Sequence, residues 1–450
     1  MKIVICASEV LPYAKTGGLA DVTGALPLAL ESQGQEVIVV MPRYKGIKEP
    51  SGLIGKNVKV YFIQDELYFN RDNLYGDKTG DYKDNLDRFS FYCRKTLELL
   101  KEINFKPDII HVHDWQAALI PVYLKTLYKT DVFFKDTRTV LTIHNIGYQG
   151  LFPKEQFPKL GLDASLFGIQ GLEFYGKINI LKGGLEFCDI INTVSPTYSK
   201  EIQTKELGFG LEGVLHKRSN VVFGILNGLD YDIWNPETDK VIAKNYSFKN
   251  LAGKACDKFE LQKICGLPQD NDIPLIGIVS RLAEQKGFDI VSQAIDHICK
   301  MNLQLVILGT GDLKYHHIME SMVKKYPKAI SLFLKFDDAL AHKIYAGSDM
   351  FLMPSQYEPC GLGQLIALRY GTIPLVFRTG GLADTINQEN GFLFDKYNKD
   401  ALSTTINQAL IKFKDKNKWL KLMAKAMQCN FSWAESAREY VELYEKAKGK

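Results

Sequence analysis

No run of about 18 apolar residues occurs in this chain, so no segment reads as a membrane span. An excess of one charge sign is also lacking. Across 450 residues, 56 Lys and Arg stand against 52 Asp and Glu, a net charge of +4, and no arginine-rich block stands out. That balance excludes a nucleic-acid signature. Cysteine is sparse and scattered. Cys6, Cys93, Cys188, Cys256, Cys265, Cys299, Cys360 and Cys429 form no Cys-x-x-Cys pair, which excludes a dense disulfide framework and favours reduced thiols. Low-complexity segments and short-period repeats are absent. Met1–Ala7 carries one charge and a short apolar run that soon meets Ser8-Glu9, too short for a signal-peptide core. A cytoplasmic location is expected, or a plastid stroma in a plant-type cell, although no transit peptide is seen.

What is present is an ordinary globular composition, 46% apolar and 24% charged. One hydrophobic core stops growing near about 250–300 residues, so two domains are expected. Short apolar runs alternate with helical patterns. Ile3–Ala7, Glu36–Met41, Ile109–Val112, Val140–Ile143, Ile190–Thr193 and Val222–Leu226 read as buried parallel strands. Gly18–Gln33 and Trp115–Tyr128 read as crossover helices. A charged stretch, Asn245–Asp257, marks the expected boundary, giving domains over 1–250 and 251–430. Beyond it Leu275–Val279, Leu303–Leu308, Ile330–Leu334, Met350–Met353 and Ile373–Val376 are expected strands. Gly287–Met301, Leu313–Lys324, Asp337–Ala346, Gly361–Tyr370 and Asp400–Phe413 are expected helices. The tail, 431–450, holds an amphipathic helix over Trp433–Lys446 that is expected to pack back on the first domain. The fold class is therefore α/β, with two facing doubly wound, Rossmann-like domains and a deep cleft between them. In such sheets ligands sit beyond the carboxyl ends of the strands.

The residues just after the strands carry the chemistry. Lys15-Thr16-Gly17-Gly18-Leu19-Ala20-Asp21 opens the first helix with two glycines and a cation, a pattern suited to an anion or to a plain tight turn. Neither Walker spacing nor Gly-x-Gly-x-x-Gly is found in that loop. Arg281 and Lys286 follow the first strand of the second half, where two cations can clamp a diphosphate leaving group. Glu358 precedes Pro359-Cys360-Gly361-Leu362 after another strand, and a carboxylate there suits sugar hydroxyls. Cys360 has no nearby His in sequence and reads as a packing or contact residue. Thr379-Gly380-Gly381-Leu382 looks like a second anion cradle. Asp114 and His144-Asn145 end two further strands at the same expected edge. His111-Val112-His113-Asp114 hints at a metal, but residues i and i+2 of a strand share a face while Asp114 points away. Asp230-Tyr231-Asp232 follows the Asn227-Gly228 turn and reads as loop structure. His316-His317 reads as helix surface. No metal site is assigned.

Taken in order, these motifs resemble the bacterial glycogen synthase and plant starch synthase family of retaining glycosyltransferases over essentially the whole chain. The carriers are Lys15-Thr16-Gly17-Gly18-Leu19, Leu74-Tyr75-Gly76-Asp77, His111-Val112-His113-Asp114-Trp115, His144-Asn145 with Tyr148-Gln149-Gly150, Glu173-Phe174-Tyr175-Gly176 and Thr193-Val194-Ser195-Pro196. Leu226-Asn227-Gly228, Ser280-Arg281-Leu282 with Gln285-Lys286-Gly287, Glu358-Pro359-Cys360-Gly361-Leu362 and Thr379-Gly380-Gly381-Leu382 continue the series. The resemblance implies transfer of glucose from ADP-glucose to the non-reducing end of an α-1,4-glucan such as glycogen or starch, with retention, without a metal or cofactor.

By the same resemblance Glu358, Arg281, Lys286, His144 and Asp114 form the reaction centre. Lys15, Gly17, Gly18, Asn227, Phe336, Cys360, Gly361, Leu362, Thr379 and Gly380 hold the donor. Glu9, Asp21 and Asn145 lie towards the acceptor. Domain closure would expel water and limit hydrolysis of the donor. The chain departs from the family pattern at two points. Gly363 stands where a hydroxyl or amide side chain is frequent, and Phe336 stands where Tyr commonly stacks on adenine. Ile366, eight positions after Glu358, replaces the second Glu of the broader sucrose-synthase-like group. A nucleotide-sugar epimerase of the same build and an inactive glucan-binding protein are the alternatives. A Rossmann oxidoreductase is disfavoured, because the first strand-to-helix turn lacks the dinucleotide fingerprint.

Overall fold

A computed structural model describes residues 1–449. The chain divides into two units. Met1–Gly228 joins the residues from Trp433 onward in the first, and Leu229–Ser432 forms the second.

In the first unit, β-branched runs such as Ile3-Val4-Ile5 are buried on both faces, as a central parallel strand requires. Eight strands order as Val222–Gly224, Ile190–Thr193, Arg138–Ile143, Ile109–His113, Lys2–Cys6, Glu36–Pro42, Val58–Ile63 and Ser51–Ile54. All pairs are parallel except the last, where Ser51–Ile54 runs antiparallel to Val58–Ile63. The chain leaves Lys2–Cys6 to one side and returns as Ile109–His113 on the other. A crevice opens at such a reversal, beyond the carboxyl ends of these two strands. The helix Trp433–Lys448 buries Ala437, Tyr440, Leu443, Tyr444 and Ala447 within this unit. Gln33 Nε2, just past the helix Gly18–Ser32, donates to the Ala434 carbonyl at 2.9 Å.

The second unit has six strands, all parallel, ordered Ile330–Phe333, Gln304–Leu308, Leu275–Val279, Met350–Met353, Ile373–Phe377 and Phe392–Phe394. Here the order reverses between Leu275–Val279 and Met350–Met353. Among the described residues no helix is long and apolar enough to cross a membrane. None of the eight cysteines is in a disulfide.

Several expectations are corrected. The division falls after Gly228 rather than at residue 250, because Leu229, Ile242 and Tyr246 join the second unit's core with Leu261 and Leu275. The charged stretch taken as a junction runs into a helix, Ala252–Ile264. Its charges are buried and partnered: Lys254 Nζ donates to the carbonyls of Ala346 at 2.8 Å and Tyr370 at 3.0 Å, and to Thr372 Oγ1 at 2.7 Å. Lys258 pairs with Asp349 at 2.7 Å. The expected helix Trp115–Tyr128 is two segments, Asp114–Ala117 and Leu119–Lys125. Pro121 has no N–H for the Ala117 carbonyl, so the ladder breaks between them. The helix expected from Gly361 begins at Gly363, since Gly361 sits at φ +75° in the left-handed region.

Candidate active site

In the first unit the loop after Lys2–Cys6 is organised by Glu9, which is 4% exposed. Its carboxylate accepts from the Thr16 N–H, from Thr16 Oγ1 at 2.6 Å, from the Gly17 N–H at 3.1 Å and from Tyr75 OH at 2.7 Å. Ser8 Oγ and Tyr75 OH share a further bond of 2.7 Å. Glu9 therefore holds the glycine turn that opens the helix Gly18–Ser32. A Cβ at Gly17 or Gly18 would meet no atom within 4 Å, and Gly17 has an extended φ of −152°. The fold itself does not need glycine at either place, so the bare backbone leaves room for something outside the chain to approach. Lys15 pairs with Asp21 at 2.7 Å and stays 43% exposed.

Beyond Ile109–His113 and Arg138–Ile143 lies a histidine ladder. His113 Nδ1 and His144 Nε2 share a hydrogen bond of 2.8 Å, and the His111 and His113 rings lie 4.1 Å apart. Behind them His111 bonds Tyr444 OH at 2.8 Å and Thr142 Oγ1 at 2.7 Å. Burial pushes His111 and His144 down to about 3 and His113 well below its ordinary value, so all three are neutral near pH 7. Asp114 takes φ +55°, rare outside glycine, and accepts from the His144 N–H at 2.7 Å. Burial raises its carboxyl to about 7, with Glu9 adding a little, against the backbone donors of His144 and Asn145. Asn145 Oδ1 accepts from the Gly147 N–H at 3.0 Å. Asn227 is 7% exposed, and its side-chain oxygen has no hydrogen-bond partner among the described residues. Among the described residues no group of three or more His, Cys, Asp or Glu has the arrangement of a metal site.

In the second unit Lys286 and Glu358 meet at 2.6 Å, with side chains 19% and 8% exposed, and Ser355 Oγ donates to the same carboxylate oxygen at 2.9 Å. The sequence suggests separate roles for these two charges; the structure makes them one pair. Arg281 is exposed and makes no ion pair among the described residues. A cavity of about 210 Å³ is lined by Ser280, Lys286, Tyr345, Glu358, Gly361 and Leu362, among others. Cys360 is 4% exposed, a contact residue of the loop. The Thr379-Gly380-Gly381 turn packs closely on the Glu358 loop. A Cβ on Gly380 would lie 2.0 Å from the Glu358 carbonyl oxygen, and one on Gly381 2.2 Å from that of Cys360. The Gly381 N–H already donates to Glu358 O at 3.1 Å, so these glycines clamp the Glu358 loop. Phe336 is 87% exposed in the loop after Ile330–Phe333. Asp230 Oδ1 accepts from the Asp232 N–H at 2.9 Å, as a loop residue does. His316 Nε2 accepts from the Gly311 N–H at 3.0 Å.

Sequence reasoning gave no role to Tyr75, His113, Ser355 or Tyr345. The first three lie inside quoted motifs or loops, while Tyr345 reads only as a buried helix position. It also left an exposed aromatic group unassigned. Tyr148 is 59% exposed, Tyr175 82% and Phe209 44%, and Tyr175 and Phe209 both have positive φ. Gln149, 6% exposed, fixes this group to the Asn145 loop by donating to the carbonyls of Ile146 and Phe209, each at 3.1 Å.

Known proteins resemble this chain over its full length. The family model described as starch synthase catalytic domain matches residues 2–217, and that described as glycosyl transferases group 1 matches residues 263–425. A glycogen synthase of Geotalea daltonii is 50% identical over 99% of this chain and 98% of its own length. That of Thermotoga maritima is 44% identical over 100% and 99%. The catalytic domain of starch synthase IV from Arabidopsis thaliana, solved bound to ADP and acarbose, superposes with a TM-score of 0.90 at 34% identity, covering 100% of this chain and 99% of that one. A sucrose-phosphate synthase from Thermosynechococcus elongatus, at 18% identity and a TM-score of 0.63, shares the fold alone. Fold, motif order and full-length similarity converge: the chain belongs to the glycogen synthase and starch synthase family of glycosyltransferases.

Proposed function

We propose that this protein transfers glucose from ADP-glucose to the non-reducing end of an α-1,4-glucan, with retention of configuration. The observation that carries the reading is the second unit's switch point. There the Lys286–Glu358 pair lines a cavity, and exposed Arg281, on the strand edge that also supplies Lys286, makes no ion pair among the described residues. As the sugar–phosphate bond breaks, negative charge develops on the diphosphate, and fixed cations stabilise it. Arg281 supplies a full charge. Lys286 is half-committed to Glu358, so a diphosphate oxygen and a sugar hydroxyl share that pair between them. The cations meet the leaving group's charge without a metal.

The second unit is assigned to the donor, with Phe336 under the adenine. The first unit is assigned to the acceptor, with Glu9, Asp21 and Asn145 nearby and the aromatic group around Tyr175 offering flat faces to a glucan's C–H surfaces. His144 and Asp114 line the sugar site; neutral His144 donates or accepts without introducing charge. Lys15 and the bare Gly17-Gly18 backbone offer a further anion contact.

The test uses labelled ADP-glucose and UDP-glucose, each with glycogen and EDTA, scored by label in precipitated polymer. Label from ADP-glucose is expected. Label mainly from UDP-glucose would overturn the donor. No label from either, with nucleotide still bound, would favour an epimerase or an inactive binding protein.

A further inference from the structure

Tyr345, on the helix Asp338–Gly347, is 3% exposed, and its ring packs against Phe351 at 4.8 Å between centroids and edge-on to Trp234 at 5.6 Å. Its hydroxyl has no hydrogen bond to any of the described residues. The hydroxyl is not among the fully buried orphan atoms, so it opens onto the adjoining cavity and is left there to bond with water or a ligand. The residue lines the same cavity as Lys286, Glu358, Gly361 and Leu362. Gly363 lies alongside: a Cβ built there would stand 3.2 Å from the Tyr345 hydroxyl, 3.0 Å from the Phe351 ring and 3.1 Å from the Met353 sulfur. The place where a side chain on residue 363 would begin is thus bordered by the Phe351 ring, the Met353 sulfur and the Tyr345 O–H.

We propose that the Tyr345 hydroxyl donates a hydrogen bond to the donor's diphosphate, supplying from the neighbouring helix the contact that Gly363 cannot make. This rests on the donor assignment above. An O–H to an anionic oxygen is a short, charge-assisted bond, and in this cavity it adds to the attraction of Lys286. Tyr345 is a binding residue, and the pairing of a tyrosine at 345 with glycine at 363 is a single device. A side chain at 363 would press on the hydroxyl, which would have to give by a few tenths of an ångström.

The test measures ADP and adenosine binding by calorimetry in the full chain. Tyr345→Phe should weaken ADP about tenfold or more and leave adenosine unchanged. Its unfolding temperature should not fall, since the lost hydroxyl has no partner among the described residues. The double change Tyr345→Phe with Gly363→Ser should recover most of the ADP affinity, while Gly363→Ser alone should crowd the tyrosine and weaken ADP. Equal ADP affinity in Tyr345→Phe, or an equal loss for adenosine, would overturn the proposal. Failure of the unaltered protein to bind ADP would overturn the donor assignment instead.

Discussion

Glu358 has an anionic side chain 8% exposed, matched by one lysine and one serine. Replacing it with Ala removes the carboxylate from the sugar side of the cavity and leaves Lys286 unpaired. Transfer should fall by at least about 100-fold. Stability should change by less than about 2 kcal/mol, because Lys286 is 19% exposed and regains water. Near-normal turnover in that variant would remove Glu358 from the site. Asp114 makes a second prediction, about pH. Burial raises its carboxyl from 3.8 to about 7, so the folded state holds the proton more tightly than the unfolded one. Folding is therefore penalised progressively as pH rises from about 4 to about 7, with the full penalty above that. Asp114→Asn should be more stable than the parent by about 1–3 kcal/mol near pH 8, and the gain should close near pH 4. Denaturant titrations at the two pH values check this, and a pH-independent difference would mean an ordinary carboxyl.

Among the elements, the two glycine turns look alike in sequence and differ in what surrounds them. Gly17-Gly18 faces open space, whereas Gly381 is pressed on the Cys360 carbonyl. Gly17→Ala should fold as the parent does, within about 0.5 kcal/mol, and raise KM for the donor. Gly381→Ala should destabilise the second unit by about 2 kcal/mol or more and displace the Glu358 loop. Equal stability of the two variants would refute the contrast. No motif tells these turns apart, because the difference lies in a loop some 20 residues away in sequence. The strands show the same division. Leu275–Val279 and Met350–Met353 are continuous apolar runs between turn residues and are legible as they stand. The helix Asn85–Glu102 is hard to read from sequence, since it buries Arg88 fully, with Nε donating to the Tyr68 carbonyl at 2.7 Å and Nη1 to that of Leu74 at 2.9 Å while Nη2 has no partner among the described residues. Ala252–Ile264 was obscured in the same way by Lys254 and Lys258, whose partners lie far along the chain. The site followed that pattern: residues at strand ends were readable, while the Lys286–Glu358 pairing and the Tyr345 hydroxyl needed coordinates.

For the whole molecule, the decisive link is between the last helix and the histidine ladder. Tyr444 bonds His111, and Asn192 Nδ2 donates to Tyr440 OH at 3.1 Å. Tyr444→Phe strands a buried imidazole nitrogen and should cost the first unit about 1–3 kcal/mol, read as a lower unfolding temperature with the second unit unaffected. No change in the first unit would mean that the bond contributes nothing net. The same link sets an order of events during synthesis. The second unit is one continuous stretch, Leu229–Ser432, inserted into the sequence of the first. Its strands and helices can pair as they leave the ribosome. The first unit must wait for about 200 further residues before its closing helix exists, roughly 10–40 s at about 5–20 residues per second. During that interval the faces later covered by Tyr440 and Tyr444 have no cover from their own chain. The later-made unit can therefore finish before the earlier-made one.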